Sequence, residues 1–371
     1  MSIQINAAFD GGNIRVVAIE GDRVDLEIAK DHASDFYQWF YFRVSGAKGR
    51  ELTYRIVNAG GAAYAFGWPG YRVRWSSDRE DWRAGDGAYA DGVLSFTHRA
   101  ESDLVWFAYF APYSMERHHD LVTRIAALPG VSHRELGVTL DGQPIDCLSV
   151  GVGPKQIWFY ARQHPGETMA EWFMEGALEK LTSGDATATA LREKATLHLV
   201  PNMNPDGSRR GHLRTNAAGV NLNREWHAPS PEKSPEVLAV RNRMDETGVA
   251  FAMDVHGDEA IPANFLAGFE GIPGWTDAQG EKFYEFSRRL AAATPDFQTE
   301  LGYEKSAPGR ANLSMSTNQL AERYGAVSMT LEMPFKDHVA NADPDFAWSP
   351  ARCKLLAHAS LDTLAGMIDE I

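Results

Sequence analysis

The pattern of apolar residues changes character once along the chain, near Tyr113, and that single change limits the fold to two kinds of packing in series. Before it come short segments rich in Val, Ile, Phe, Tyr and Trp: Ile14 to Ile19, Val24 to Ile28, Phe36 to Val44, Leu52 to Val57, Val93 to Thr97 and Leu104 to Phe110. Turn clusters at Gly21-Asp22, Ser45 to Gly49, Gly60-Gly61 and Asp91-Gly92 separate them. Strands at this spacing, with no 3.6-residue period between them, predict an all-β antiparallel sandwich over residues 1–112.

From Tyr113 onward strand-like and helical runs alternate. Glu116 to Leu128 reads as a helix closed by Pro129-Gly130, and a hairpin follows around Asp141-Gly142. Gln156 to Ala161, Leu197 to Val200, Val249 to Val255 and Val327 to Leu331 are apolar runs of strand length. Helices are expected over Glu167 to Leu181, Glu281 to Ala293 and Ala351 to Ile368, the first with Met169, Trp172, Phe173, Ala177 and Leu181 on one face. This alternation predicts an α/β domain over residues 113–371, with helices flanking a mixed or largely parallel sheet. Ligands bind such sheets at the carboxyl ends of the strands.

A chain of 371 residues with 44% apolar residues is long enough to bury a core in each of two domains. The two cysteines, Cys147 and Cys353, form no C-x-x-C, so a zinc knuckle or dithiol redox motif is excluded and a reducing, cytoplasmic setting is expected. Met1 to Asn13 lacks the pattern of a secretory signal, and no apolar run reaches the ~18 residues of a membrane span. A net charge of -14 with no long basic run argues against nucleic acid or an anionic membrane as partner.

The strand ending at Ala161 runs into Arg162-Gln163-His164-Pro165-Gly166-Glu167-Thr168. A His in the loop and a Glu three residues later, at the mouth of a sheet, can face one point and begin a zinc site. A third ligand is available in Phe251-Ala252-Met253-Asp254-Val255-His256-Gly257, where another apolar run stops at a Gly. A histidine satisfied within the fold is the alternative for His256. Of the 12 His, His118 and His119 begin a helix, His198 lies inside a strand and His358 sits on the last helix, so they are poorer placed.

Between these elements lies Asn204-Pro205-Asp206-Gly207, a turn by its own chemistry, followed by Arg209, Arg210, Arg214 and then Asn221-Leu222-Asn223-Arg224. Arg209 and Arg210 suit a solvated loop, whereas Arg214 and Arg224 are spaced to face the cleft, where a guanidinium holds a carboxylate in a two-pronged grip. A metal hydrolase also needs a carboxylate to take a proton from water, and the apolar strand Val327 to Leu331 ends in Glu332. An ion pair is the structural alternative for that Glu.

Taken in order, H-P-G-E (His164 to Glu167), N-P-D-G (Asn204 to Gly207), Arg214, N-R (Asn223-Arg224), the strand-end His256 and the strand-end Glu332 resemble the zinc carboxypeptidases of the carboxypeptidase A type. Ala161-Arg162 before H-P-G-E-T, the D-V-H-G run and the β-rich region upstream look more like their cytosolic carboxypeptidase branch. The resemblance covers roughly residues 115 to 371 and implies a mixed, eight-stranded-type sheet. It implies one zinc ion on His164, Glu167 and His256, and Asn223 with Arg224 receiving the substrate's terminal carboxylate. Arg214 would stabilise the oxyanion, and Glu332 would activate water and return the proton to the leaving amine. Three departures accompany it: Asn221 replaces the usual Asp, Gly166 stands where secreted members have Arg, and the capping Tyr has no clear counterpart, Tyr303 and Tyr324 being nearest.

The branch implies substrates that are peptide or protein C-terminal tails, trimmed at acidic residues such as glutamate. Arg310, in Lys305-Ser306-Ala307-Pro308-Gly309-Arg310, resembles a G-R of that branch and is the candidate cation for an acidic side chain, a solvated loop arginine being the alternative. An amidase or deacylase acting on a small acylated amino acid would keep the metal ligands but not need the Asn223-Arg224 pair. A non-catalytic binding module is opposed by the complete set of ligands and Glu332. The sandwich is expected to wall the cleft and restrict it to flexible tails.

Overall fold

The computed structural model describes residues 3–371. Residues 4–108 form two five-stranded sheets packed face to face. One orders Gln4–Asn6, Tyr41–Ser45, Leu104–Ala108, Val73–Ser76 and Arg83–Gly85; the other orders Arg15–Glu20, Arg23–Glu27, Glu51–Ile56, Val93–Arg99 and Ala88–Ala90. Alternation sets the faces: in Glu51–Ile56, Leu52, Tyr54 and Ile56 are fully buried while Glu51, Thr53 and Arg55 point away. The pairing is antiparallel throughout except that Arg23–Glu27 runs parallel to Glu51–Ile56.

The second unit is a mixed sheet with helices packed on it, as the alternation of runs predicted. Its seven strands lie in the order Val131–Val138, Pro144–Val150, Ala195–Val200, Lys155–Ala161, Phe251–Asp258, Val327–Pro334 and Phe265–Ala267, where eight had been expected. The four in the middle are parallel and the outer ones antiparallel. Phe251–Asp258 and Val327–Pro334 are buried at every residue, as central strands covered on both faces are, and this includes their polar members Asp254, Ser328 and Thr330.

The expected elements are present with small displacements. The segment from Phe36 becomes a strand only at Tyr41, and the helix expected from Glu167 starts at Met169. The N-P-D-G turn is the first turn of a short helix, Pro205–Arg210: Pro205 occupies the first position, and Asn204 Oδ1 accepts the Gly207 N–H at 3.0 Å. No helix among the described residues is long and apolar enough to cross a membrane.

One apolar core runs without interruption from the sandwich into the α/β unit. At the seam Tyr109 stacks on Phe335, with ring centroids 4.3 Å apart, and the buried Arg74 guanidinium donates to the carbonyls of Phe335 at 3.0 Å and Lys336 at 2.8 Å. The two units therefore share buried side chains, and the buried cation there is solvated by backbone carbonyls of both units, Arg72 in its own and Phe335 and Lys336 in the other.

Candidate metal centre

Parallel pairing aligns the ends of the central strands. Ala161 is level with Val255, and His256 lies directly opposite Glu332. His164 follows the first of these strands after a turn at Arg162, whose φ of 60 is unusual for a side chain of that size. The turn is held by what its guanidinium touches. Arg162 Nε and Nη2 donate to the Pro165 carbonyl at 2.9 and 2.6 Å, and Nη1 meets Glu171 Oε2 at 2.7 Å. The H-P-G-E loop is thus tied to the start of the helix behind it.

His164, Glu167 and His256 converge, all buried, and their donor atoms fall within 4.8 Å of one another. His164 Nδ1 is 2.7 Å from Glu167 Oε1, His256 Nδ1 is 2.7 Å from Glu167 Oε2, and the two Nδ1 atoms are 3.1 Å apart. Gly257 makes the approach possible: it gives its N–H to Glu167 Oε2 at 3.1 Å, and a Cβ there would come within 2.5 Å of Met169 Sδ.

The outward ring nitrogens are occupied, which fixes both Nδ1 atoms toward the common centre. His164 Nε2 is 3.0 Å from Asn221 Oδ1, and His256 Nε2 is 2.8 Å from Asp254 Oδ2. Asn221 therefore does what the Asp it replaces would do, with an amide oxygen in place of a carboxylate. Asp254 Oδ2 also accepts from Gln163 Nε2 at 2.6 Å and Ser316 Oγ at 2.5 Å, and Gln163 Oε1 in turn accepts from Trp226 Nε1 at 2.7 Å.

The electrostatics suit a cation. Burial and the nearby Arg214 push His164 down to about 4, keeping it neutral as a ligand must be. Burial would lower His256 too, but Asp254 and Glu167 outweigh it and hold the ring protonated, so positive charge is stabilised at this point. Burial raises the Glu167 carboxyl, and the two imidazoles more than reverse that. The residues present fit a bound divalent ion of the zinc type: two imidazole nitrogens and one carboxylate in a buried, oriented surround, with the His256 proton giving way to the ion. A second cluster, His118, His119 and Asp146, is less suited, since His119 is exposed, Glu171 from outside the cluster takes His118 Nδ1 at 2.6 Å, and His133 takes Asp146 Oδ1 at 2.6 Å.

Around the cluster stand the other expected residues. Glu332 is 7% exposed, with Oε2 unpaired and Oε1 3.3 Å from the Tyr303 hydroxyl. Burial lifts its proton affinity well above the carboxylate range; His256 opposes this, while Glu167, Asp258 and Glu259 reinforce it. Tyr303 reaches Asp258 Oδ2 at 2.6 Å as well, so the tyrosine left without a role in the sequence bridges Glu332 to Asp258. The Arg214 guanidinium lies over the rings of Phe36 and Tyr64, 5.5 Å from each centroid, and close enough to His164 and Arg224 to depress both.

Asn223 is buried, its Oδ1 accepting the Ser316 N–H at 2.9 Å, and Arg224 beside it is exposed. Arg310 is not gathered into this group. It lies exposed on the loop after Tyr303, and among the described residues its side chain makes no hydrogen bond or ion pair. Asp254, Gln163 and Ser316 were not anticipated. Asp254 alone carried a signal, since it stands two residues before His256 on the same strand and so faces the same side of the sheet.

Two imidazoles and a carboxylate converging at the carboxyl ends of parallel strands, with a further carboxyl alongside, define a metal-dependent hydrolase. Residues 123–336 match the zinc carboxypeptidase family, and residues 5–110 match the cytosolic carboxypeptidase N-terminal domain. The chain belongs to the zinc carboxypeptidases, which are peptide hydrolases. It is 45% identical to a metallo-carboxypeptidase of Pseudomonas aeruginosa solved with (2-guanidinoethylmercapto)succinic acid, with 99% of each chain covered and a TM-score of 0.97. A metallo-carboxypeptidase of Burkholderia cenocepacia is 41% identical over 100% of both chains, with a TM-score of 0.96. Human cytosolic carboxypeptidase 1 is 29% identical over 63% of this chain, which spans 23% of that much longer protein.

Proposed function

We propose that the protein removes the C-terminal residue from peptides or protein tails, with a preference for acidic residues such as glutamate, in the cytoplasm. Residues 1–112 and 113–371 are its two working units, and neither nucleic acid nor a membrane is its partner. His164, Glu167 and His256 would hold one zinc ion, which lowers the proton affinity of water and polarises a carbonyl. Glu332 takes the proton from that water and passes it to the departing amine. Its place opposite His256, with Oε2 free of any partner among the described residues, suits a group that accepts a proton and gives it up again. Arg214, whose guanidinium makes no hydrogen bond among the described residues, faces the oxygen on which negative charge develops.

Asn223 and Arg224 receive the terminal carboxylate. An amide donor beside a guanidinium suits that group, and the closeness of Arg214 to Arg224 on a chain of charge -14 favours carboxylate-ended substrates. Arg310, a cation whose side chain has no hydrogen-bond or ion-pair partner among the described residues, supplies the preference for an acidic side chain. The observation that carries the reading is the register of His256 against Glu332, which puts one member of the His164, Glu167 and His256 cluster beside a carboxyl whose Oε2 is unpaired.

The test is incubation of zinc-loaded protein with a library of peptides differing at the C-terminus, with products read by mass spectrometry. Loss of single C-terminal residues, fastest for Glu or Asp, is expected. Release of an acyl group from a blocked amino acid with every peptide left intact would replace this reading by a deacylase. Elemental analysis finding well under one zinc per chain, with none taken up on reconstitution, would remove it altogether.

A further inference from the structure

The loop that presents Arg214 has no regular structure of its own, yet its backbone is held on both sides. On one side the Leu213 carbonyl accepts the Gly166 N–H at 2.9 Å, joining it to the H-P-G-E loop. On the other side is the sandwich. Asp31, 3% exposed, accepts the N–H of Leu213 at 2.7 Å on Oδ1, and on Oδ2 those of Arg214 at 2.8 Å and Thr215 at 3.0 Å, together with the Thr215 hydroxyl at 3.1 Å. One buried carboxylate gathers three successive amides and a hydroxyl, the arrangement that fixes a backbone most firmly.

The same loop of the sandwich also holds the side chain. Asp31 gives its own N–H to the Phe36 carbonyl at 2.9 Å, and Phe36, with Tyr64, supplies the aromatic face under the Arg214 guanidinium. Tyr64 is set by buried Gln38, whose Oε1 accepts the Tyr64 N–H at 2.8 Å. Nearby contacts repeat the pattern: the His32 N–H donates to His212 Nε2 at 3.0 Å, Asn13 Nδ2 donates to the Gly211 carbonyl at 3.0 Å, and the Gly11 N–H donates to the Arg209 carbonyl at 3.0 Å. Residues 209–215 are held against the sandwich at each position but Arg210, whose guanidinium turns to Asp141 instead.

From these contacts we infer that Asp31 is a positioning residue for the reaction, through which the N-terminal sandwich fixes backbone and guanidinium of Arg214 at the site. This rests on the peptidase reading and on the part assigned there to Arg214, and it gives the sandwich a role in the chemistry in addition to walling the cleft. A group that meets charge only as it develops must already be in place, because a mobile guanidinium spends its interaction on ordering itself.

The test uses the full-length, zinc-loaded chain. Asp31→Asn keeps the shape but turns an amide N–H2 against backbone N–H donors. It is expected to lower kcat about tenfold or more, less than the ~10²- to 10³-fold loss for Arg214→Ala, with KM and zinc per chain little changed. In the Asp31→Asn/Arg214→Ala double variant no further loss is expected, since the first change acts through the second residue. Hydrogen exchange should quicken at Leu213, Arg214 and Thr215 while the strand Lys155–Ala161 stays protected.

Multiplying losses in the double variant, exchange quickened across the whole chain, or an unchanged kcat would each overturn the inference. Should Asp31→Asn not fold, Thr215→Val removes the hydroxyl contact alone and is expected to act in the same direction, more weakly. A wild-type chain that holds zinc but cleaves no peptide would defeat the peptidase reading instead, and the exchange measurement decides on the Asp31 anchor in either case.

Discussion

His164 Nε2 rests 3.0 Å from the side-chain oxygen of Asn221, so an amide carries out the orienting task for which the family pattern has a carboxylate. An amide oxygen accepts the ring N–H but adds no charge, which leaves the imidazole a slightly weaker donor.

Two variants measure that difference. Asn221→Leu, which removes the acceptor, should weaken zinc binding by about 10- to 100-fold, whereas Asn221→Asp should bind zinc at least as tightly as the wild type. Competition against a chelator of known affinity reads both; equal zinc affinity in all three proteins would show that the contact orients nothing.

Glu332→Gln removes the proton acceptor while leaving His164, Glu167 and His256 untouched. Zinc content should stay at the wild-type level and kcat should fall by about 10²- to 10⁴-fold. Full turnover in this variant would take the base role away from Glu332.

Arg310→Ala should raise KM for peptides ending in Glu about tenfold or more, and leave peptides ending in an apolar residue close to unchanged, because only the former loses a charged partner. An equal change for both would identify Arg310 as an ordinary solvated loop residue, as its exposure allows.

Glu236 gives a pH dependence that is separate from catalysis. It is buried, and burial, only partly offset by hydrogen bonds such as that from Asn216 Nδ2, lifts its carboxyl from an ordinary 4.5 to about 7. The folded chain thus holds this proton more tightly than the unfolded one. The stabilising contribution is complete below pH ~4.5 and is lost as pH rises to ~7, by about 3 kcal/mol. Glu236→Gln should therefore match the wild type near pH 4.5 and exceed it by about that amount at pH 8 in denaturant titrations. A difference that does not change with pH would contradict the assignment.

What the sequence made legible was whatever is local. The H-P-G-E loop, the strand-end His256 and the strand-end Glu332 each announce themselves because an apolar run stops at a polar residue, and sheet topology then brings such ends together. The residues around them were hidden for the opposite reason. Asp31 lies far from Arg214 in the chain, and Gln163 and Ser316 meet Asp254 from two other segments, so no spacing encodes these contacts. Three-residue strands such as Phe265–Ala267 carry too few side chains to show a period, and the polar helix Pro235–Thr247 buries only Glu236, Val237, Val240 and Met244. Tyr303 could be named but not placed, since its bond to Asp258 depends on a loop path that composition does not set.

The order of strands in the sheet also sets an order in time. Val327–Pro334 is the last strand to be synthesised, yet it lies inside the sheet between Phe251–Asp258 and Phe265–Ala267. Until it leaves the ribosome, the edge of Phe251–Asp258, buried at all eight residues in the finished protein, has no partner on that side. A chain ending at residue 326 should accordingly partition into the insoluble fraction on expression, where the whole chain does not. The same delay withholds Glu332 from every unfinished chain, so a nascent polypeptide emerges beside its neighbours with the carboxyl that faces His256 still to come.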